Sequence, residues 1–285
     1  MKFGIMYANT GYFGLPEHAA ELAKAAEEVG FDSLWTVEHV LVPKGYQSVY
    51  PYHRSGRLRG PDETPMPDPL LWMSFVAAVT TTIKLSTGVL ILPQRHPAYV
   101  AKEFATLDSL SGGRAMLGVG IGWLEEEFNA LGVPFKHRVA RTEESIRAIR
   151  DLWKAGPSTF DGEHFNWPEV ESNPKPVQAS GIPIIIGGHV PAAARRAARF
   201  GDGFFPGRID RLDELIATLR KECAAIDRNP DEVEITTGTP NMTPDGIKEM
   251  EDRGVMRLTV APPGRDKDDI RQGLEHFAET VINKS

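Results

Sequence analysis

The sequence predicts an α/β fold, a single (β/α)8 TIM barrel over residues 1–285, with insertions after the second strand and before the fifth. Three observations predict it. Short apolar, strand-like segments alternate with amphipathic, helix-like segments from one end to the other. The alternation repeats eight times, which favours a barrel over a doubly wound sheet. No shift in composition marks a linker that would divide the chain.

The elements follow in order. Residues 3–7 form an apolar strand. The first helix opens at Pro16, a favoured first-turn residue, carries Ala19, Leu22, Ala26 and Val29 on one face, and stops at Gly30. Residues 33–37 are the second strand, followed by Glu38-His39 and a segment, 40–66, rich in Pro, Gly and Tyr; loops of that length are uncommon unless functional. Asp68 caps a helix bearing Leu70, Leu71, Phe75, Val76 and Val79. Residues 84–90 are the third strand, and a helix over 97–110 is closed by Gly112 and Gly113. Residues 115–119 form the fourth strand and 138–153 a helix, before a second irregular insertion, 156–180, with a small hairpin around FDGEHFNW. Strands near 183–186, 203–206, 233–237 and 256–260 complete the eight, with helices near 191–200, 210–227, 243–253 and 267–282.

Composition narrows the function. With 41% hydrophobic and 25% charged residues the chain can bury a large core. The first residues lack the continuous apolar run of a signal peptide, and no apolar stretch reaches membrane-spanning length, so the expectation is a soluble, cytoplasmic protein with no membrane partner. A formal charge of -7 argues against a nucleic-acid partner. The exception is 44–59, with Lys44, His53, Arg54, Arg57, Arg59 and no acid. Cys223 shares a helical face with Leu212, Leu219 and Ile226, the place of a core residue rather than a nucleophile. No metal is expected, because His96, His137 and His164 are far apart and none sits in an H-x-x-x-H or H-x-E arrangement.

Barrel chemistry sits at the C-terminal strand ends, which directs attention to Asn9, Glu38, His39, Gly88, Val89, Trp123, Gly187, Gly188, Arg208 and Thr239. At the end of strand two, Glu38-His39 points an ionisable pair into the mouth. A histidine there hydrogen-bonds a cofactor ring or moves a proton near neutral pH; the plainer alternative is a loop histidine held by its neighbour. Gly118, Gly120 and Gly122 before Trp123 let the backbone approach something flat. Their spacing fails the Gly-x-Gly-x-x-Gly dinucleotide fingerprint. Gly187, Gly188 and His189, ahead of a helix that opens at Pro191, have the form of a phosphate cradle, or of a simple tight turn. Arg138, Arg141, Glu143 and Glu144 stand at helical spacing as an ion-pair set, of which Arg141 alone is within reach of the site.

Together, Glu38-His39, STGVLILPQRHPAYVAKEFATLDSLSGGR, GVGIGWLEEEF and GDGFF at 201–205 resemble the bacterial luciferase-like family of flavin- and deazaflavin-dependent oxidoreductases over about residues 1–260, and most of all its branch that uses coenzyme F420. The resemblance implies a non-prolyl cis peptide at Gly88-Val89 behind the cofactor ring. It implies Gly120, Gly122 and Trp123 along the ring edge, Gly187, Gly188 and His189 at the cofactor phosphate, and His39 with Glu38 at the chemistry. It also implies hydride transfer between F420 and a small organic substrate, and a homodimer, for which apolar residues of the helices at 68–80 and 97–111 offer an interface. The alternative is an FMN-dependent monooxygenase supplied by a flavin reductase. The family's sugar-phosphate dehydrogenase has a glutamate where this chain has Trp123 and an aspartate where it has Glu38, which counts against sugar-phosphate oxidation. Glu125, Glu126 and Glu127 would have to reach back from a helix to replace that glutamate. The 40–66 insertion is suited to covering the site and meeting the polyanionic tail of F420, or is a plain solvated loop, and Tyr46, Tyr50, Tyr52 and Trp167 suit an apolar or aromatic ligand. Two further readings are weaker. A phosphate-binding aldolase or isomerase barrel needs a lysine or carboxylate at a strand end, whereas Lys84 begins strand three. A non-catalytic flavin-binding protein would show no turnover.

Overall fold

The strands of the barrel are short and largely apolar because they are buried on both faces, as parallel barrel strands require. The computed structural model describes residues 1–58, 60, 63–264 and 267–284; Arg59, the last cation of the basic segment, lies outside the described residues. In chain order the elements begin β1 (Lys2–Met6), α1 (Pro16–Glu28), β2 (Ser33–Thr36), α2 (Pro69–Ala77), β3 (Lys84–Thr87), β4 (Leu90–Ile91), α3 (Pro97–Ser111) and β5 (Ala115–Gly120). Then come α4 (Glu125–Ala130), α5 (Arg138–Trp153), β6 (Ser158–Asp161), β7 (Asn166–Val170), β8 (Ile184–Gly188), α6 (Pro191–Phe200) and β9 (Gly203–Pro206). The chain ends with α7 (Leu212–Ala225), β10 (Glu234–Gly238), α8 (Pro244–Asp252), β11 (Arg257–Val260) and α9 (Lys267–Thr280).

The parallel strands run in the order β3-β2-β1-β11-β10-β9-β8-β5, and β3 pairs with β5 to close the barrel at Leu85 opposite Ala115. β6 and β7 form the separate antiparallel hairpin expected around residue 160. One expectation needs correction. The third strand is not continuous over 84–90: β3 and β4 lie on either side of Gly88-Val89, whose peptide bond is cis. The helix expected to carry Glu125, Glu126 and Glu127 is the short α4, which begins with these three residues, charges that suit the positive end of a helix.

Inside the barrel, Trp35, Met116 and Ile185 pack with Met6 and Phe205, side chains drawn from five strands. Gly4 makes room for this layer, since a Cβ there would lie 2.7 Å from the Trp35 indole nitrogen. The N-terminal end is plugged by Arg257, which is buried between Asp32 at 2.7 Å and Glu234, with its guanidinium 5.6 Å from the Trp35 ring centre. The larger apolar layer lies between strands and helices. Cys223 is buried there with Leu212 and Leu219, as expected, whereas Ile226 falls beyond the end of α7 and is exposed. The α5 charges do tie elements together: Glu143 pairs with Arg196 of α6 at 3.1 Å, and buried Glu144 accepts the N–H groups of Glu163, His164 and Phe165 in the hairpin turn. Among the described residues no helix is long and apolar enough to cross a membrane.

Candidate active site at the barrel mouth

The glycines at the strand ends make room for protein atoms. A Cβ on Gly118 would lie 1.8 Å from the Thr87 carbonyl oxygen; on Gly120, 2.5 Å from Val89 Cγ2; on Gly187, 2.6 Å from Val89 Cγ1. Gly122 has φ +77° and faces Phe128 at 2.5 Å. Each of these glycines therefore has a packing reason of its own, beside the expected approach of backbone to a flat ligand. Gly120 and Gly187 flank the half-buried Val89 side chain, so the branched side chain of Val89 stands between β5 and β8. Gly188 packs on the start of α6, where an added Cβ would lie 2.5 Å from Ala193 Cβ.

Glu38 and His39 do not act as a matched pair. The Glu38 carboxylate is buried, accepts the Ile91 N–H at 2.7 Å and is gripped by Nε (3.0 Å) and Nη2 of Arg95, which also reaches Asp68 at 2.8 Å. Burial pushes its carboxyl above the usual range, with Arg95 opposing. Glu38 therefore fastens the end of β2 to the turn after β4, and the expectation that both residues open into the mouth is corrected for Glu38. Asn9 is likewise occupied, bonding Val37 N–H, Val37 C=O and Pro67 C=O within 2.9 Å. Thr239 accepts the Asn241 N–H of its own turn at 3.2 Å.

His39 is held by a residue whose role the sequence does not reveal. Its Nδ1 lies 2.8 Å from Oε2 of Glu127, whose side chain is fully buried. Oε1 of the same carboxylate accepts the N–H of Val40 at 2.7 Å and of Leu41 at 3.1 Å. Burial by itself would raise the Glu127 carboxyl, but the His39 hydrogen bond and charge and the Leu41 N–H hold it below the usual carboxylate range. An ionised carboxylate only accepts, so Nδ1 carries a proton; Nε2 has no protein partner among the described residues. Of the three acids of α4, Glu127 reaches back to His39 and Glu126 to the strap. Glu126 accepts Gln47 N–H at 2.5 Å and Ser48 N–H at 3.1 Å, fastening residues 40–58 to the barrel as a strap.

Trp123 is the centre of the strap's aromatic contacts, with ring centres 5.6 Å from His39, 5.5 Å from Tyr46 and 5.2 Å from Tyr50. Tyr52 lies over Gly207, where a Cβ would come within 2.3 Å of its ring, and its hydroxyl is 3.2 Å from His189 Nδ1. The strap thus runs from the end of β2, across α4, to the ends of β8 and β9. The strap's own residues 47–51 and 53–57, with His189 and Arg208 of the barrel, line a cavity of about 520 Å³ whose wall holds His53, Arg54 and Arg57 and no carboxylate. Arg57 is braced 4.4 Å over the Tyr46 ring, and Arg208 is bonded to Asp210 at 3.0 Å. Burial, then the charges of Arg208 and Arg211, lower His189, so its imidazole is neutral at pH 7. Arg141 is spent elsewhere, 4.8 Å over the Phe165 ring. No group of three metal-ligating side chains occurs among the described residues.

Residues 1–276 match the model of the luciferase-like monooxygenase family. The chain belongs to that family. This luciferase-like protein is 35% identical over 298 residues to an uncharacterised protein of Mycobacterium tuberculosis, with all of both chains covered. It is 36% identical over 244 residues to the F420-dependent glucose-6-phosphate dehydrogenase of Nakamurella multipartita, covering 82% of this chain and 65% of that one. Among solved structures, the monooxygenase RslO1 of Streptomyces bottropensis superposes with a TM-score of 0.78 at 22% identity, covering 99% of each chain. An F420-dependent secondary alcohol dehydrogenase in complex with an F420-acetone adduct superposes with a TM-score of 0.77 at 19% identity, covering 100% of this chain and 99% of that one. These structural likenesses establish the barrel. Family membership makes the protein a luciferase-like oxidoreductase.

Proposed function

We propose that this oxidoreductase transfers hydride between coenzyme F420 and a small organic substrate, with His39 moving the accompanying proton. The observation that carries the cofactor choice is the acid-free cavity beside Gly188 and His189. A cofactor with one phosphate needs only the Gly187, Gly188 turn and the start of α6, whereas Arg54, Arg57 and Arg208 beyond it suit a ligand with further negative charge. The curated F420-dependent relative supports the same choice. The bound deazaflavin would supply the hydride chemistry. The protein supplies positioning, exclusion of water by the strap, and Nε2 of His39 as the ring position at which a proton is taken up or given.

Side-by-side equilibrium binding of F420 and FMN to the apo-protein at several salt concentrations tests this. The expected result is tighter F420 binding that weakens as salt rises. Preference for FMN would overturn it and move the assignment to a monooxygenase fed by a flavin reductase. The substrate is assigned by class: Trp123, Tyr46 and Tyr50 form an aromatic wall suited to an apolar or aromatic molecule and not to a sugar phosphate.

The protein is further proposed to be a homodimer. Leu71 and Phe75 on α2 and Tyr99 and Leu110 on α3 are 75%, 45%, 71% and 70% exposed, and their spacings place each pair on one helix face. Leu71→Asp is expected to convert the dimer to monomer in sedimentation velocity. A monomeric wild type would remove the proposal.

A further inference from the structure

We propose that Glu127 is a positioning residue that holds the proton carrier and the root of the strap on one carboxylate, so that His39 is set for proton transfer only while the strap is seated. The inference rests on the proposed role of His39 and goes beyond it, because it concerns a residue 88 positions away that belongs to a different element.

Three hydrogen bonds converge on Glu127. Oε2 takes the Nδ1–H of His39, and Oε1 takes the N–H groups of Val40 and Leu41, the first two residues of the strap. His39 is joined directly to Val40 in the chain, so the backbone that carries the imidazole is the same backbone that the Val40 and Leu41 bonds hold against Glu127, and unseating that backbone carries the ring away from Oε2. Opening the strap at Val40 and Leu41 is thereby linked to release of Nδ1. While the carboxylate is bonded to Nδ1, the neutral imidazole is fixed in one tautomer, and its proton is taken or given at Nε2 alone.

The other ionisable groups around this point are engaged elsewhere. Glu38, the neighbour of His39 in sequence, is taken by Arg95 and the Ile91 N–H, and Glu126 by the N–H groups of Gln47 and Ser48. From the strap and the β5 end, His39 meets Trp123, which does not ionise, with Tyr46 and Tyr50 behind it. Glu127 is the one carboxylate bonded to the His39 ring among the described residues. Its neighbour Phe128 lies on Gly122, which seats α4 against the β5 turn and fixes the distance from which Glu127 reaches.

The test uses the apo-protein carrying 15N-labelled histidine, with the His39 signals assigned by their loss in His39→Gln. The wild type is expected to show neutral His39 protonated at Nδ1. Glu127→Gln is expected to populate both tautomers, to speed hydrogen exchange at the Val40 and Leu41 amides about tenfold or more, and to lower kcat with little change in cofactor affinity. A wild type protonated at Nε2 overturns the inference without any variant being needed. A variant with faster exchange but an unchanged tautomer reduces Glu127 to a structural anchor, and one with a changed tautomer but unchanged exchange removes the link to the strap; either overturns the proposal. The two spectroscopic readouts need no cofactor, so they stand even if the protein does not turn over F420. F420 turnover with failed spectroscopic outcomes would sink this inference alone.

Discussion

His39→Ala is expected to lower kcat of the F420-linked reaction by about 100- to 1,000-fold while changing F420 affinity by less than about threefold, the pattern of a group that acts in the transition state and not in cofactor binding. The basis is geometric. Nδ1 is committed to a buried carboxylate, which leaves Nε2 as the one ring position able to exchange a proton, at the rim where Trp123 and the strap meet. Steady-state kinetics beside direct cofactor titration separates the two effects, and an unchanged kcat would take His39 out of the mechanism. The substitution also strips Oε2 of Glu127 of its partner, so a stability loss of about 1–3 kcal/mol should accompany it in urea unfolding. Loss of turnover measured well below the unfolding midpoint would then belong to chemistry.

The largest expected effect on stability is at Gly118. A methyl there would stand 1.8 Å from the Thr87 carbonyl oxygen, and a backbone carbonyl in a strand cannot turn aside as the tip of a flexible side chain can. Thr87 Oγ1 also donates to the Gly118 carbonyl at 2.6 Å, so relieving the clash would break that bond and part β3 from β5 where the barrel closes. Gly118→Ala is expected to cost about 3 kcal/mol or more. Gly238→Ala in β10, where the nearest atom to an added Cβ is 3.4 Å away, is the control and should be close to neutral. Equal losses in the two variants would mean that strand glycine itself, and not the Thr87 approach, sets the cost.

Contrasts of this kind show where sequence reasoning reaches and where it stops. The Asp68 cap, the helix over residues 138–153, the left-handed Gly112 that ends α3 and the small hairpin near residue 160 were all legible, because each depends on residues a few positions apart. Hydrophobic periodicity reports which face of one element is buried, and eight such elements in alternation are enough to name a barrel. His39 was legible as a candidate from its place at a strand end.

The partners of these residues were not legible. Glu38 was read as the companion of His39 because the two are adjacent, but the carboxylate is claimed by Arg95, 57 positions on, and the true companion, Glu127, is 88 positions away. Glu127 was visible only as one of three successive acids, and nothing local distinguishes the one that turns inward from the one that holds Gln47. The mouth glycines were recognised as necessary, but the protein atoms for which their missing side chains make room, Thr87, Val89 and Phe128, are set by how the strand ends and α4 meet. Arg257 and Asp32, 225 positions apart, meet only because closing the barrel brings the starts of β11 and β2 to the same end. By itself the sequence determined the kind and order of the eight repeating strand and helix units. Closure of the barrel decided which polar groups share a bond there, because a buried charge takes whichever partner the packing brings within about 3 Å, and periodicity carries no record of that distance.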